Sequence, residues 1–451
     1  MKLVPLDDIQ VGHVADSEYY SAKGELLIAR GTTVTARHIE LLRHRNILEL
    51  HTPTTEDEEI QSILRMEFED LDDLDLSGGG WDRAPSIPAD LRKGKEGLEQ
   101  LQQSDLVRDL DNRMEEGIEG DCPTGQALKE SVSQLSVQER TPEYKDEVTG
   151  SYEEALGVTT RTLDALAGHE RVGGTEIRRI VNRFVEIFVT DRNILLNLSG
   201  TRTKNRDYVY THSLNVCLLS LNIAAAYGYN REQVAEIGIG ALLHDVGMLL
   251  IPSEIRLREK RLSEEHWYEI QKHPILGLHL LEKVRGLPDS TPVVAYQVHE
   301  RCNAKGYPKK RHGVLIHRHA KVVQVADIYE ALTSPRPHRA PYVPYKAMVA
   351  LVKMARQGLI SQEFVKAFME YASLFPVGSL VRLNDGRIAK VVATNGTSYA
   401  KPVLSILTDA DGKALSPNQI YQLDLKEETE CQIVKALPAG FLRDVGLMDG
   451  F

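Results

Sequence analysis

The chain has 451 residues, of which 42% are hydrophobic, and its formal net charge is −11. This length predicts two to four domains with packed cores. The four cysteines lie far apart and form no Cys-x-x-Cys pair, which argues against a disulfide framework and a thiolate zinc knuckle: Cys122, Cys217, Cys302 and Cys431. The chain starts without an apolar signal region and has no run of eighteen apolar residues. We therefore expect a soluble, cytoplasmic protein without a membrane span.

Residues 1–52 have the pattern of a small α/β module. Strands are predicted over 25–30 and 47–50, and Thr35 is a suitable cap for a helix over 36–45. The module contains no catalytic cluster, since its histidines are expected at the surface: His13, His38 and His44. A packing or sensory role is therefore predicted.

Residues 53–150 are expected to form an acidic and polar linker. Ten acidic residues and one basic residue lie between 56 and 75, which is typical of a solvated segment. A calcium loop is the alternative, but the spaced Asp and Gly residues of such a loop are missing. Residues 86–146 have a weak helical period around Leu98, Leu101 and Leu106. They are predicted to be helical but loosely packed.

A stronger helix is predicted to start near Thr175. Its apolar residues recur at spacings of three and four, which places them on one face: Ile177, Ile180, Val181, Phe184, Ile187 and Phe188. This face should pack either on the helices that follow or on a second copy of the chain.

The next stretch contains His and Asp residues at intervals of 26 to 32 residues, roughly one helix and its return connection: His212, His244-Asp245, His273, His299 and Asp327. Imidazole nitrogen and carboxylate oxygen together suit divalent iron, manganese or zinc. His244-Asp245 ends an apolar run, where unpaired burial would be costly. Either a metal or a structural hydrogen-bonded pair would neutralise these two groups.

Local signals place these residues on predicted helices. Ser263 is a good cap for a long helix, and His273 precedes Pro274 at the start of another. Thr291-Pro292 should begin the helix that carries His299, and Asp327 should lie in a helix over 315–332. The stretch therefore predicts a helical bundle whose interior holds a metal site.

Several motifs in this region resemble a known family. The run Ala241-Leu242-Leu243-His244-Asp245-Val246-Gly247, followed by Ile251-Pro252, is similar to the core of the HD phosphohydrolase superfamily. The HD-GYP subfamily is indicated by three further motifs: His299-Glu300-Arg301, Gly306-Tyr307-Pro308 and residues 325–334. The resemblance covers about residues 205–345. It implies a metal-dependent phosphodiesterase that opens the bacterial second messenger cyclic di-GMP to linear pGpG or GMP, by attack of a metal-bridging hydroxide.

The resemblance also implies roles for individual residues. One of two divalent ions, most often iron or manganese, would be held by His212, His244, Asp245 and Asp327, and the other by Asp245, His273 and His299. His244 and Asp245 would be the catalytic pair. The substrate would contact Arg301, Lys305, Gly306, Tyr307, Pro308 and Arg336, with Tyr307 stacking on guanine.

The sequence departs from the family pattern at four places. Met248 stands where Lys is usual, which removes a cation near the scissile phosphate and should lower rate or affinity. Val298 replaces a frequent histidine ligand of the second ion, and Asn303-Ala304 stands in place of Asp-Gly. Tyr208 stands where some members have an acid for a third ion, so two ions are expected and not three.

The charge distribution bears on the substrate. Residues 201–340 contain 20 Lys and Arg against 14 Asp and Glu, so this part is positive in an acidic chain. No acid interrupts the basic residues between 301 and 325, and their field would attract a phosphate-bearing ligand. The alternative for residues 309–311 is a solvated basic loop. Long nucleic acid is not expected as a partner.

Residues 376–436 are predicted to form a small β-barrel or sheet. Short alternating runs are separated by hairpin signals at Asp385-Gly386, Asn395-Gly396 and Asp411-Gly412.

The predicted fold is mainly α. It comprises an α/β module (1–52), a linker (53–150), a helical HD-GYP domain with its leading helix (151–372) and a small β-rich domain (373–451). The predicted function is cyclic di-GMP hydrolysis. Two alternatives stay open: a catalytically weak or inactive cyclic di-GMP receptor that acts through partner proteins, and an HD phosphohydrolase of another nucleotide. The partners considered are diguanylate cyclase (GGDEF) domain proteins and a second copy of the chain.

Overall fold

The computed structural model describes residues 2–15, 19–20, 26–28, 32–44, 47, 49–52, 92–116, 122–133, 135, 141–198, 208–258, 262–335, 341–395, 398–428 and 430–437. The predicted acidic run 56–75 and the candidate site residue Arg336 lie outside these ranges. The chain divides into two compact units. One consists of Met1–Leu74 and Thr397–Ala400, and the other of Asp75–Gly396 and Lys401–Phe451.

The described part of the first unit contains a four-stranded antiparallel sheet and one α-helix. The strands are β1 (Lys2–Pro5), β2 (Tyr19–Tyr20), β3 (Leu26–Ile28) and β4 (Glu49–Thr52), in the order β1-β4-β2-β3, and the helix is α1 (Ala36–His44). Thr35 caps α1, because its Oγ1 accepts a hydrogen bond from the N–H of His38 at 3.3 Å. The predicted α/β module is therefore confirmed, although β4 begins two residues later than expected.

The second unit begins, in its described part, with two short helices, α2 (Arg92–Gln102) and α3 (Asp105–Glu116). The prediction that this segment is helical is confirmed. The prediction that it is loosely packed is wrong. Leu98, Val107 and Leu110 are buried in one cluster with Tyr268, Ile275, Leu278, Val293 and Tyr296 from later helices. The few apolar residues of a polar segment form a single stripe, and one stripe suffices to dock a helix.

The other helices of the second unit's described part are α4 (Pro142–Ala167), α5 (Thr175–Thr190), α6 (Ile194–Leu198), α7 (Tyr208–Tyr227), α8 (Arg231–Leu243), α9 (Ser253–Arg256), α10 (Glu264–Ile270), α11 (His273–Leu281), α12 (Ser290–Gln297), α13 (Arg318–Thr333), α14 (Pro344–Arg356) and α15 (Gln362–Ala372). All six apolar residues predicted for the leading helix α5 are buried. A Cβ added at Gly238 of α8 would lie 2.9 Å from Val181 Cγ1 of α5. The leading helix therefore packs on the helices that follow it, which is the first of the two predicted alternatives.

The most apolar helices lie at the centre of the bundle. The stretches Tyr208–Tyr227 and Arg231–Leu250 are long and apolar enough to cross a membrane, but an apolar 18-residue window in each is 89% and 83% buried inside the protein. Burial of this extent is typical of core helices, and these two stretches supply the first three residues of the His and Asp set.

Three helix boundaries differ from the predictions. Ser263 Oγ accepts from the N–H of His266 at 3.3 Å and so caps α10, but this helix is short and ends at Ile270. His273 begins α11, as predicted. His299 lies two residues beyond the end of α12, because the chain turns there and the N–H of Glu300 bonds to the carbonyl of Gln297. The helix of Asp327 begins at Arg318 and not at 315.

The second unit also contains a short parallel pair of strands, β5 (Val172–Gly173) and β6 (Val284–Arg285). Its last described part contains the strands β7 (Leu380–Leu383), β8 (Ile388–Ala393), β9 (Val403–Ile406), β10 (Tyr421–Asp424) and β11 (Ile433–Leu437). These five strands form an antiparallel sheet in the order β10-β9-β8-β7-β11. Gly386, in the predicted turn between β7 and β8, has a φ of +93°, which a residue without a Cβ adopts readily. The predicted β-rich domain is confirmed, whereas Gly396 of the second hairpin signal lies outside the described residues.

Candidate functional site

The turn after α8 brings His244 and Asp245 against the start of α11. A Cβ added at Gly247 would lie 2.0 Å from the carbonyl oxygen of His273 and 2.5 Å from the backbone nitrogen of Gly277. Only glycine fits at that distance from another backbone. Gly247 therefore fixes the approach that places His273 beside Asp245.

One carboxylate, that of Asp245, lies among four imidazoles. Its Oδ1 is 3.1 Å from His273 Nε2, 3.3 Å from His299 Nε2 and 3.4 Å from His244 Nε2. Its Oδ2 is 3.5 Å from His212 Nε2. Four separate segments of the chain thus converge on one acidic residue.

Asp327 closes the cluster from helix α13. Its Oδ1 lies 3.3 Å from His212 Nε2, and its Oδ2 lies 3.7 Å from His299 Nδ1. Within the described residues, the ligand atoms form two groups, each with its atoms within 4.8 Å of one another: His212, His244 and Asp245, and Asp245, His273 and His299. The structure therefore brings together all six predicted metal ligands, and Asp245 is common to both groups.

The cluster has donor atoms that the described protein atoms leave without hydrogen bonds. His244 Nε2, His273 Nε2 and His299 Nδ1 are buried and have no hydrogen-bond partner in the described part of the chain. Buried nitrogen atoms without a partner are costly. A divalent cation would accept their lone pairs, so the donor set fits a metal, and the same set of imidazole and carboxylate groups suits iron, manganese or zinc.

Hydrogen bonds on the far side of the rings orient these donors. His244 Nδ1 donates to the carbonyl of Ala241 at 2.7 Å, and His273 Nδ1 donates to the carbonyl of Ile270 at 2.7 Å. A carbonyl can only accept, so Nδ1 carries the proton and Nε2 presents a lone pair to the cluster.

Glu330 orients the third imidazole, and the sequence reasoning missed it. Its Oε2 lies 2.5 Å from His212 Nδ1, and its Oε1 accepts from Ser334 Oγ at 2.7 Å. The side chain is buried. Its position three residues after Asp327 on one helix was an available signal, because residues at that spacing share a face.

The protonation states suit a metal centre. Burial opposes the charge on Asp245, yet His244 and His273 hold its pKa well below the usual range. Burial likewise opposes the charge on Asp327, and His212 and His299 lower its pKa. Burial lowers the pKa of His299 to about 4. At neutral pH both carboxylates are charged and His299 is neutral, which is the state that binds cations.

The Gly-Tyr-Pro segment packs directly against the cluster. The Tyr307 ring stacks on the His299 ring with their centroids 5.0 Å apart and an interplanar angle of 12°. A Cβ added at Gly306 would lie 2.3 Å from the backbone nitrogen of Arg301, so this position also requires glycine. Tyr307-Pro308 is a cis peptide. Tyr307 therefore forms one wall of the cluster.

Glu300 anchors the loop that follows, and it is the second residue that the sequence reasoning left without a role. It is fully buried. Its carboxylate oxygens accept from the N–H of Lys309 at 2.7 Å and from the N–H of Arg311 at 2.8 Å. One buried side chain thus closes the loop of residues 301–311, which carries Gly306, Tyr307 and Pro308.

The other predicted substrate residues differ in their surroundings. Arg301 is buried, and its Nη1 donates to the carbonyl of Glu300 at 2.7 Å. Burial lowers its pKa to about 10, with Asp327 acting in the opposite direction, so the guanidinium is still cationic at neutral pH. Lys305 is exposed. Both alternatives for residues 309–311, a field that attracts phosphate and a solvated basic loop, treat the basic groups as unpaired. In the structure, Lys309 and Arg311 form ion pairs with Asp111 of α3.

The departures from the family pattern occupy defined places. Met248 is buried in an apolar cluster with Val209, Ile251 and Ile270, and Val298 is fully buried. Ala304 has a φ of +61°, a left-handed conformation that glycine adopts at lower energy. Met248 and Val298 are therefore apolar and buried, and Ala304 carries a Cβ in the left-handed region.

Comparisons with known proteins agree with this geometry. Residues 195–362 match the model of the HD domain family, and residues 380–439 match that of the KOW domain associated with the HD domain. The chain is 31% identical over 248 residues, 55% of its length, to a cyclic di-GMP phosphodiesterase of Pseudomonas aeruginosa, of which it covers 59%. It is 25% identical over 231 residues, 51% of its length, to one of Borreliella burgdorferi, of which it covers 60%.

A further relative has another named substrate. Over 150 residues, 33% of its length, the chain is 32% identical to a 3'3'-cGAMP-specific phosphodiesterase of Vibrio cholerae, of which it covers 34%. The chain thus spans less than two thirds of the length of each of these curated relatives.

Proposed function

We propose, from the premise that residues 195–362 form an HD domain, that this protein is a metal-dependent phosphodiesterase that hydrolyses cyclic di-GMP. The observation that carries the proposal is the position of Asp245 within 3.5 Å of four imidazole nitrogens. Such a cluster is costly to bury unless it binds cations. Two of the curated relatives are named as cyclic di-GMP phosphodiesterases.

Two divalent ions, iron or manganese, fit the donor set. His212, His244, Asp245 and Asp327 would hold one ion, and Asp245, His273 and His299 would hold the other. Bound there, the ions would lower the pKa of water and neutralise phosphate oxygens. No third ion is proposed, because Tyr208 supplies no carboxylate at the position where some family members have one.

The residues of the chain contribute orientation and charge. The lowered pKa of Asp245 keeps its carboxylate ionised through the neutral range, and the Nδ1–H bonds of His244 and His273 orient their Nε2 atoms towards the cluster. The ring of Tyr307 covers His299 and limits the entry of water from that side. Preorganised groups of this kind act without rearranging during the reaction.

The substrate assignment rests on the loop of residues 301–311. A guanine base would stack on Tyr307, and the phosphates would meet the positive charges of Arg301 and Lys305. The first product is linear pGpG, which the same site could open further to GMP. Arg336 completes the proposed substrate contacts.

A catalytically weak receptor is the second candidate, and Met248 favours it. An ammonium group near the scissile phosphate would stabilise the developing charge, whereas the thioether of Met248 lies among apolar side chains. Such a receptor would act through a partner, either a diguanylate cyclase domain protein or a second copy of the chain. Hydrolysis of another cyclic dinucleotide is the third candidate, since one relative is named for 3'3'-cGAMP.

Anaerobic purification, metal analysis and parallel assays distinguish the three candidates. We expect two iron or manganese ions per chain, counted by metal analysis and by anomalous scattering from crystals, and cleavage of cyclic di-GMP in preference to 3'3'-cGAMP. Tight binding with negligible turnover would favour the receptor. A metal-loaded protein that neither binds nor cleaves a cyclic dinucleotide would contradict the proposal.

A further inference from the structure

Helices α2 and α3, which precede the HD domain by about 80 residues, contact the loop that carries the Gly-Tyr-Pro segment. Gln102 Nε2 at the end of α2 donates to the carbonyl of Pro308 at 2.6 Å. Lys309 Nζ donates to the carbonyl of Gln102 at 3.0 Å. The end of α2 therefore forms hydrogen bonds with Pro308 and Lys309, the two residues that follow Tyr307 in the loop.

Asp111 of α3 makes the second connection. Its Oδ2 lies 3.4 Å from Lys309 Nζ, and its Oδ1 pairs with Arg311 Nη2. These side chains are only 17% to 30% exposed, so solvent screens the pairs less than it screens surface pairs. A single carboxylate thus binds two cations at the C-terminal end of the loop.

The loop is held from two sides. The buried carboxylate of Glu300 binds the backbone N–H groups of Lys309 and Arg311 from within the HD domain, while Asp111 binds their side chains from outside it. A loop fixed at both its backbone and its side chains has few conformations available.

We propose that Asp111 is a positioning residue, which fixes Tyr307 over the metal cluster through Lys309 and Arg311 and so sets the affinity for the cyclic dinucleotide. Holding the loop in its binding conformation removes an ordering cost that the ligand would otherwise bear. The nucleotide part of this inference rests on the proposed function, whereas the immobilisation of the loop does not. Helices α2 and α3 are accordingly part of the binding site and not a linker.

The packing of α2 and α3 allows release of the loop to be distinguished from undocking of the two helices. Leu98, Val107 and Leu110 dock α2 and α3 on the bundle through apolar contacts, and these contacts do not involve Asp111. A change at Asp111 should therefore release the loop while the helices stay docked. Exchange of the amides in α3, which the apolar cluster holds in place, therefore serves as the reference for exchange in the loop.

The test compares Asp111→Asn with Asp109→Asn, a matched control at an exposed position two residues earlier on the same helix, and with Asp111→Glu, which restores the charge. Hydrogen–deuterium exchange of the metal-loaded full chain, without nucleotide, follows a peptide covering residues 303–312 and a peptide covering α3. Steady-state kinetics with cyclic di-GMP then give KM and kcat separately.

In Asp111→Asn we expect exchange in 303–312 to accelerate and KM to rise roughly tenfold, as for loss of a charged hydrogen bond, with kcat and metal content little changed. Asp111→Glu should recover part of both effects, and Asp109→Asn should show neither. Equal exchange of the loop in the Asn variants would overturn the proposal, as would faster exchange with an unchanged KM. If the parent chain does not cleave cyclic di-GMP, the proposed function fails, and the exchange comparison still tests the loop.

Discussion

Glu330 Oε2 lies 2.5 Å from His212 Nδ1, on the side of the ring that faces away from Asp245. This carboxylate fixes the direction of an imidazole whose other nitrogen points into the cluster. A carboxylate behind a histidine ligand raises the basicity of the ligand and holds its orientation. The pair therefore belongs to the proposed metal centre although Glu330 is not a proposed ligand.

We expect Glu330→Gln to weaken metal binding by about 10- to 100-fold, since loss of such a partner has this effect on other metal sites. The amide keeps the size of the side chain but removes its charge. Metal competition with a chelator of known affinity measures the change. Glu265→Gln, at an exposed position on α10, is the control, and equal metal affinity in the two variants would refute the role of Glu330.

We expect Asp245→Ala to abolish both metal binding and hydrolysis while the helices persist. The carboxylate is the one group common to both proposed ion sites, so its loss affects both. His244→Ala should act in the same direction. Metal analysis with circular dichroism tests this, with His279→Ala as a control because its side chain is 42% exposed. Full metal occupancy in Asp245→Ala would show that the ligands are assigned wrongly.

We expect Ala304→Gly to stabilise the protein by about 1 kcal/mol, because a residue with a Cβ in the left-handed region carries a penalty of that order. Ala304 has a φ of +61°. The corresponding change at Ala127, with a φ of −66°, offers no such relief and should be neutral or destabilising. Thermal or urea unfolding compares the stabilities of the two variants. A lower stability of Ala304→Gly than of the parent chain would show that the backbone at Ala304 is not strained.

We expect Met248→Lys to raise the turnover of cyclic di-GMP and to lower the melting temperature. The new ammonium would add charge stabilisation near the phosphate, but it would also enter an apolar cluster, where a charge is poorly solvated. Met248→Leu should preserve the melting temperature without a gain in turnover. Unchanged turnover in the metal-loaded Lys variant would contradict a role for a cation at this position.

The cluster of His and Asp residues could be predicted from the sequence because its signals are short motifs. His244-Asp245 stands out at the end of an apolar run, and Gly247 and Gly306 belong to short motifs whose spacing is fixed. The helical bundle follows in the same way from the apolar period of single segments, such as that of α5. Each of these features needs no knowledge of a distant residue.

The contacts of α2 and α3 could not be predicted because they join positions far apart in the chain. The pair between Asp111 and Arg311 spans 200 residues, and no local pattern marks one carboxylate among many in a polar segment. For the same reason the sequence gives no sign that Lys309 and Arg311 pair with an acidic residue. Charge counted along the sequence omits the partners that folding supplies.

The cluster around Tyr296 limits how small a working fragment can be. The family match begins at residue 195, whereas the faces of Ile275, Val293 and Tyr296 are covered by side chains from α2 and α3. A fragment cut to the matched residues would expose this surface to water and would favour aggregation. We therefore expect the smallest stable fragment to include α2 and α3 and to be longer than the family match.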